Sequence, residues 1–79
     1  MQGKKLIIGN LDYSVTRQDL RKLFSTIGKV VSVSVMKGGG LGFVEMSNQT
    51  EANEAKKRLD RIHFKDSLLS VSYNLFNGE

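Results

Sequence analysis

Hydrophobic and polar positions follow two different periods along this chain, and the changes of period predict its secondary structure. The apolar run KLIIG at 5–9 predicts a buried strand. Residues 30–35 are β-branched and alternate from Val31, which predicts a half-buried strand with valines inward and serines outward. Residues 41–46 and the alternating segment 69–73 predict two further strands.

Helical periodicity appears in two segments between these strands. Thr16 resembles an N-cap at the start of the first helix, and Gly28 predicts a left-handed C-cap at its end. The second helix is predicted to begin at Ser47 or Asn48. The apolar stripe of the first helix consists of Leu20, Leu23, Phe24 and Ile27. The inner stripe of the second consists of Ala52, Ala55, Leu59 and Ile62.

The predicted order of elements is β-α-β-β-α-β. The Gly-Gly-Gly run at 38–40 is so short a connection that the second and third strands must pair directly. This order is that of an α+β, ferredoxin-like sandwich, a four-stranded antiparallel sheet with both helices on one face. The other face stays open for a ligand. We predict one domain over residues 4–74 and a C-terminal tail at 75–79.

Charge and composition narrow the classes of partner. The 79 residues suffice for one small domain, and the net charge of +4 suits a polyanionic partner. Many of the cations fall on the predicted helices, where they serve equally well as solvated surface. These are Arg17, Arg21, Lys22, Lys56, Lys57 and Arg58. No apolar run is long enough for a membrane span. We therefore predict an intracellular protein or an excised domain of a longer one. The sequence does not distinguish the nucleus from the cytoplasm.

The inventory of reactive side chains argues against an enzyme or a metal protein. The chain has no cysteine, so disulfides and thiolate metal sites are excluded. Its single histidine, His63, lies in a predicted hairpin near the edge of the sheet. No pair of acidic side chains is predicted on one face. We therefore predict no catalytic residue, no metal and no cofactor.

Two short motifs on the central strands resemble those of the RNA-recognition-motif family. Residues 6–11 (LIIGNL) are similar to its first motif, and residues 39–46 (GGLGFVEM) to its second, in degenerate form. The resemblance covers residues 4–74. It implies a module that binds single-stranded RNA on its sheet face, in RNA processing or post-transcriptional regulation. Single-stranded DNA is a further ligand because base stacking does not require the 2′-OH.

The resemblance also implies which side chains meet the bases. Alternation directs Ile7, Leu41 and Phe43 outward, at positions that are aromatic in the family and stack on bases. Only Phe43 is aromatic in this chain, and Gly39 stands where a basic residue usually pairs with phosphate. We therefore expect weak RNA binding of low specificity, or binding that gains avidity from a neighbouring domain.

The remaining candidates surround Phe43. Asn10 is predicted to contact a base edge or to satisfy its own loop backbone. Lys5 and Lys37 flank the face, where they either meet phosphates or protect a strand edge. Tyr13 is predicted to pack at the start of the first helix. The predicted RNA-binding residues are Phe43, Leu41, Ile7, Asn10, Lys5, Lys37, Ser34, Ser72 and Asn74.

A second interpretation is a protein-interaction module of the same family. Ile7 and Leu41 form apolar surface beside Phe43, which suits a peptide or a second domain of this kind as well as RNA. Leu41 and the Asn-Leu-Asp loop at 10–12 are similar to messenger-RNA export adaptors of the family. The sequence leaves both interpretations open.

Overall fold

The computed structural model describes residues 4–36, 40–65 and 67–73, and it confirms the predicted sandwich. The elements in chain order are β1 (Lys5–Gly9), α1 (Arg17–Ser25), β2 (Val30–Met36), β3 (Leu41–Met46), α2 (Gln49–Leu59), β4 (His63–Phe64), β5 (Ser67–Leu68) and β6 (Ser70–Tyr73). Strands β4 and β5 form a small separate hairpin, and β6 is the predicted last strand of the main sheet.

The main sheet has the strand order β2-β3-β1-β6, with every pair antiparallel. The two strands that carry the short motifs, β1 and β3, are therefore neighbours in its middle. In β1, Ile7 is paired with Phe43 on one side and with Ser72 on the other. This register places the outward residues of all four strands in common rows across the open face.

The core lies between the sheet and the two helices. Leu6 and Ile8 of β1 and Met46 of β3 are fully buried, and Val44 of β3 is almost so. Helix α1 contributes Leu20 and Phe24, and helix α2 contributes Ala52, Ala55 and Leu59. The two alanines allow α2 to lie close to the strands, because small side chains reduce the distance at which a helix packs. Among the described residues no polar side chain is buried.

The start of α1 is confirmed and its predicted end is wrong. Thr16 Oγ1 accepts a hydrogen bond from the Asp19 backbone at 3.2 Å, and Asp19 Oδ2 accepts one from the Thr16 backbone at 2.9 Å, which completes a capping box. The helix ends at Ser25 with Thr26 as a right-handed cap. Gly28 is not in the left-handed region; a Cβ there would lie 2.6 Å from Cδ of Glu51. A side chain at position 28 would therefore displace the end of the Glu51 side chain.

The prediction that every valine of β2 points inward is wrong for Val31. Its side chain is 52% exposed, whereas Val30 and Val33 are buried. The pairing of β2 with β3 shifts between Val30 and Ser32, so the strand contains a bulge at this point. A bulge inserts one residue and reverses the alternation before it.

Gly42 lies at a close approach between the sheet and α1. A Cβ at this position would lie 2.8 Å from Cδ1 of Leu20 and 3.2 Å from the backbone oxygen of Ser34. The backbone oxygen cannot move without disturbing the β2–β3 pairing. Gly9, by contrast, has only ordinary contacts at 3.7 Å or more around its Cβ position.

We expect Gly42→Ala to lower the free energy of unfolding by about 1–3 kcal/mol, because the added methyl group overpacks the core. The matched control is Gly9→Ala in the adjacent central strand, which is expected to cause no loss of stability. Urea unfolding followed by circular dichroism measures both. Equal stability of the two variants would contradict this account of Gly42.

Glu51 joins the start of α2 to the start of β2. Its Oε1 accepts hydrogen bonds from the Ser47 hydroxyl at 2.7 Å and from the Lys29 backbone N–H at 3.0 Å. The Ser47 hydroxyl first, and then the Lys29 N–H, hold the pKa of the Glu51 carboxyl below its ordinary value. A carboxyl whose pKa is lowered by folding stabilises the protein above its unfolded pKa, about 4.3, and loses that contribution as the pH falls through the folded value.

We expect Glu51→Gln to lower stability at pH 7 and to make stability less dependent on pH below about pH 4.3, where the wild-type carboxylate becomes protonated. Glu54→Gln is the matched control, since it removes the same charge from α2 at an exposed ion pair with Arg58. Thermal unfolding between neutral and acidic pH tests both variants. A Glu51 variant with the acid sensitivity of wild type would refute the role of this carboxylate.

Candidate nucleic-acid interface

Phe43 occupies the centre of the open sheet face. Its neighbours across the strands are Ser34 on β2 and Ile7 on β1, and Ile7 in turn faces Ser72 on β6. These side chains form the central row. Phe43 and Ile7 are half-buried, whereas both serines are exposed. The ring is therefore flanked by one aliphatic side chain and by small hydroxyl groups at the margins.

Two further rows flank the central one. On one side, Glu45 of β3 lies opposite Ser32 of β2 and opposite Lys5 of β1. On the other side, Leu41 of β3 is paired with Met36 of β2. Cδ2 of Leu41 lies 3.7 Å from the Cβ position of Gly9, so its side chain covers that glycine. One flanking row is thus charged and polar, and the other is apolar.

Most residues that the sequence predicts to bind RNA lie on this face, which also contains a residue that was not predicted. Lys5, Ile7, Ser34, Leu41, Phe43 and Ser72 occupy the outward positions of their strands. Met36 also belongs to this face and is 51% exposed, because β2 continues one residue beyond the predicted end at Val35. Its position two residues after Ser34 indicates that it points to the same face of the sheet. Lys37, Gly39 and Asn74 lie outside the described residues.

Asn10 has a structural partner. Its backbone has a φ of 59°, in the left-handed region that asparagine tolerates better than most residues. Its Nδ2 donates a hydrogen bond of 2.7 Å to the backbone oxygen of Leu68 in β5. The side chain thus ties the loop after β1 to the β4–β5 hairpin. Contact between Asn10 and a base edge stays a prediction.

The loop between β1 and α1 turns sharply and exposes Tyr13. Asp12 Oδ2 accepts hydrogen bonds from the backbone and hydroxyl of Ser14, chiefly the hydroxyl, and these lower the pKa of Asp12. Tyr13 lies at the tip of this turn and is 95% exposed, so the prediction that it packs at the helix start is wrong. Val15 fills that position instead.

The cations of the helices lie on the side of the sheet away from Phe43. Arg58 pairs with Glu54 at 2.7 Å, and the Lys56 ammonium lies 5.8 Å from the centre of the Tyr73 ring. Tyr73 packs toward the helices and donates a hydrogen bond to Asn53. Of the cations proposed to bind phosphate, Lys5 lies on the open face. Half of the twelve lysine and arginine residues therefore lie on the helices, behind the sheet.

Neither a metal site nor a membrane segment is apparent in the described ranges. No three histidine, cysteine, aspartate or glutamate side chains lie close enough there to hold a metal ion. Neither α1 nor α2 has the length and apolar character that a membrane crossing needs. What the described surface offers is a mixed apolar and polar face around one aromatic ring.

Comparison with known proteins identifies this arrangement. The family described as "RNA recognition motif" matches residues 6–70. Polyadenylate-binding protein RBP47C′ of Arabidopsis thaliana is 44% identical over 55 residues, which cover 70% of this chain and 13% of that protein. The U11/U12 small nuclear ribonucleoprotein 31 kDa protein of the same plant is 35% identical over 79 residues, covering 92% of this chain and 30% of its own length. This chain therefore matches only a small part of these relatives.

Solved structures agree with the family match. The structure titled "Sxl-lethal protein/RNA complex" superposes with a TM-score of 0.88 at 30% identity, covering 98% of this chain and 50% of that one. RNA Binding Protein PG1 superposes with a TM-score of 0.87 at 33% identity, covering 96% of this chain and 99% of that one. The chain therefore belongs to the RNA-recognition-motif family and is an RNA-binding module rather than an enzyme.

Proposed function

We propose that this domain binds single-stranded RNA on its open sheet face, with Phe43 as the main stacking residue. The observation that carries the proposal is the position of this ring in the middle of the central row, between Ser34 and Ile7. A base stacked on an aromatic side chain contributes about 1–3 kcal/mol whatever its identity. Single-stranded DNA is a second ligand, since base stacking does not require the 2′-OH.

The other candidates have supporting roles in this proposal. Ile7 and Leu41 pack against sugars and bases as an apolar floor, and Lys5 and Lys37 contact phosphates. Asn10, Ser34, Ser72 and Asn74 contribute hydrogen bonds to base edges. The binding unit comprises residues 4–74, followed by a tail at 75–79. Because the described part of the face carries one ring and few cations, the domain binds weakly alone and gains avidity from a neighbouring domain.

RNA processing or post-transcriptional regulation is the setting that the relatives favour. Among them are a polyadenylate-binding protein and a protein of the U11/U12 small nuclear ribonucleoprotein. A structural neighbour was solved in a complex with RNA. We propose an intracellular role of the same kind for the protein that carries this domain.

A protein partner is the second candidate function, and the apolar row supports it. Met36 is 51% exposed and Leu41 is 36% exposed, and they are paired side by side on the open face. Exposed apolar surface of this kind also suits a peptide or a second domain of the family. RNA and protein would then compete for part of one surface.

We expect Phe43→Leu to weaken binding of a short single-stranded RNA by about 1–3 kcal/mol, because leucine retains apolar bulk but provides no ring for stacking. Phe43→Tyr is the matched control and retains most of the affinity. Fluorescence anisotropy with labelled oligonucleotides gives the affinities, and circular dichroism verifies the fold.

Unchanged affinity in a folded Phe43→Leu variant would refute the open face as the RNA site. NMR titration separates the two candidate functions. Shifts along 5–10, 34–45 and 72–76 on addition of RNA support the proposal. An absence of RNA-induced shifts there, with line broadening that depends on protein concentration, supports a protein partner or self-association instead.

A further inference from the structure

Glu45 is an acidic side chain on the open face of an RNA-binding domain. It is half-buried, it follows Phe43 by two positions in β3, and it therefore points to the same side of the sheet. An acidic group on this surface repels phosphates, so it does not contribute to general affinity for RNA. Its position on this face therefore needs an explanation other than phosphate binding.

The carboxylate of Glu45 is largely uncommitted. The Ser32 hydroxyl donates a long hydrogen bond of 3.4 Å to its Oε1. Lys5 lies opposite it in the register, yet no ion pair within 4.0 Å holds Glu45 in the described part of the chain. A carboxylate has about four acceptor positions on two oxygens, so most of its capacity remains for a ligand.

A shallow depression of about 250 Å³ lies directly beside the ring. Its lining includes Phe43 and Glu45 of β3, Ser32 and Ser34 of β2, and Lys5 of β1. Residues two apart on one strand face are separated by about 6.8 Å, so a base stacked on Phe43 can bring one edge to the Glu45 carboxylate. The depression thus combines an aromatic surface with one strong acceptor.

We propose that Glu45 makes this depression a base-selective subsite that favours guanine on the Watson–Crick edge. Guanine presents N1–H and N2–H₂ side by side, and these two donors match the two oxygens of one carboxylate in a charge-assisted bidentate contact. Adenine and cytosine present one amino group each. Uracil presents N3–H between two carbonyl oxygens, which the carboxylate repels. The inference rests on the proposed RNA site and adds the selectivity of that site.

The test measures the affinity of the purified chain for four oligonucleotides of the form UUNUU, where N is guanine, adenine, cytosine or uracil. A bidentate contact to one base discriminates strongly, so we expect guanine to bind about tenfold more tightly than uracil. Adenine and cytosine fall between them. UUGUU contains one guanine and the other three strands contain none, which avoids guanine-driven assembly of the RNA.

Glu45→Gln preserves the size of the side chain and removes its charge. We expect it to reduce the guanine preference to about twofold or less and to leave binding of the all-uracil strand equal or stronger, since the repulsion of phosphates is also lost. Glu54→Gln is the charge-matched control. It lies on α2, on the other side of the sheet, and retains the wild-type preference.

The outcomes distinguish the inference from the proposed function. Equal wild-type affinity for all four strands, or a guanine preference that survives in Glu45→Gln, overturns the subsite while binding that depends on Phe43 leaves the RNA site intact. If Phe43→Leu leaves the affinity for all four strands unchanged, the proposed RNA site and the subsite both fail. Loss of the preference in Glu45→Gln alone, with the fold verified by circular dichroism, supports the subsite.

Discussion

The antiparallel pairing of β1 with β3 is the constraint on which both surfaces of this domain depend. Leu6 and Val44 are partners on the side of the helices, and Ile7 and Phe43 are partners on the open side. Because side chains alternate, a shift of one residue would bury Phe43 and expose Val44. The burial of Leu6, Ile8, Val44 and Met46 therefore fixes the register, and the register places the Phe43 ring on the open face. The core and the candidate interface are two consequences of one set of backbone hydrogen bonds.

The basic side chains of the helices and the open sheet face lie on opposite sides of the sheet. The basic side chains of the helices contribute to the net charge of +4, but they project from the layer behind the sheet. In the described strands, the open face carries Lys5 and Glu45 and is otherwise apolar or weakly polar. Long-range attraction to RNA therefore arises from the whole molecule, whereas the face itself acts at contact distance.

Features with local causes were predictable from the sequence, and features set by distant contacts were not. The cap at Thr16 and the outward direction of Phe43 follow from neighbours a few residues away, and both agree with the structure. Val31 was misjudged because a bulge is a property of the pairing with another strand. The exposure of Tyr13 was not predicted, because a large aromatic ring was expected to pack against the start of α1. The Asn10 contact with Leu68 joins segments far apart in the chain, and no local pattern indicates it.

Gly28 and Glu51 illustrate what such distant contacts imply for sequence variation. The carboxylate of Glu51 occupies the space that a Cβ at position 28 would need, and its hydrogen bonds to Ser47 and Lys29 hold it there. A larger residue at 28 is compatible only with a shorter or displaced side chain at 51, which gives up those bonds. A side chain at position 28 therefore requires the side chain of residue 51 to move or to be replaced. Substitutions at the beginning of α2 are thereby coupled to substitutions in the turn that follows α1.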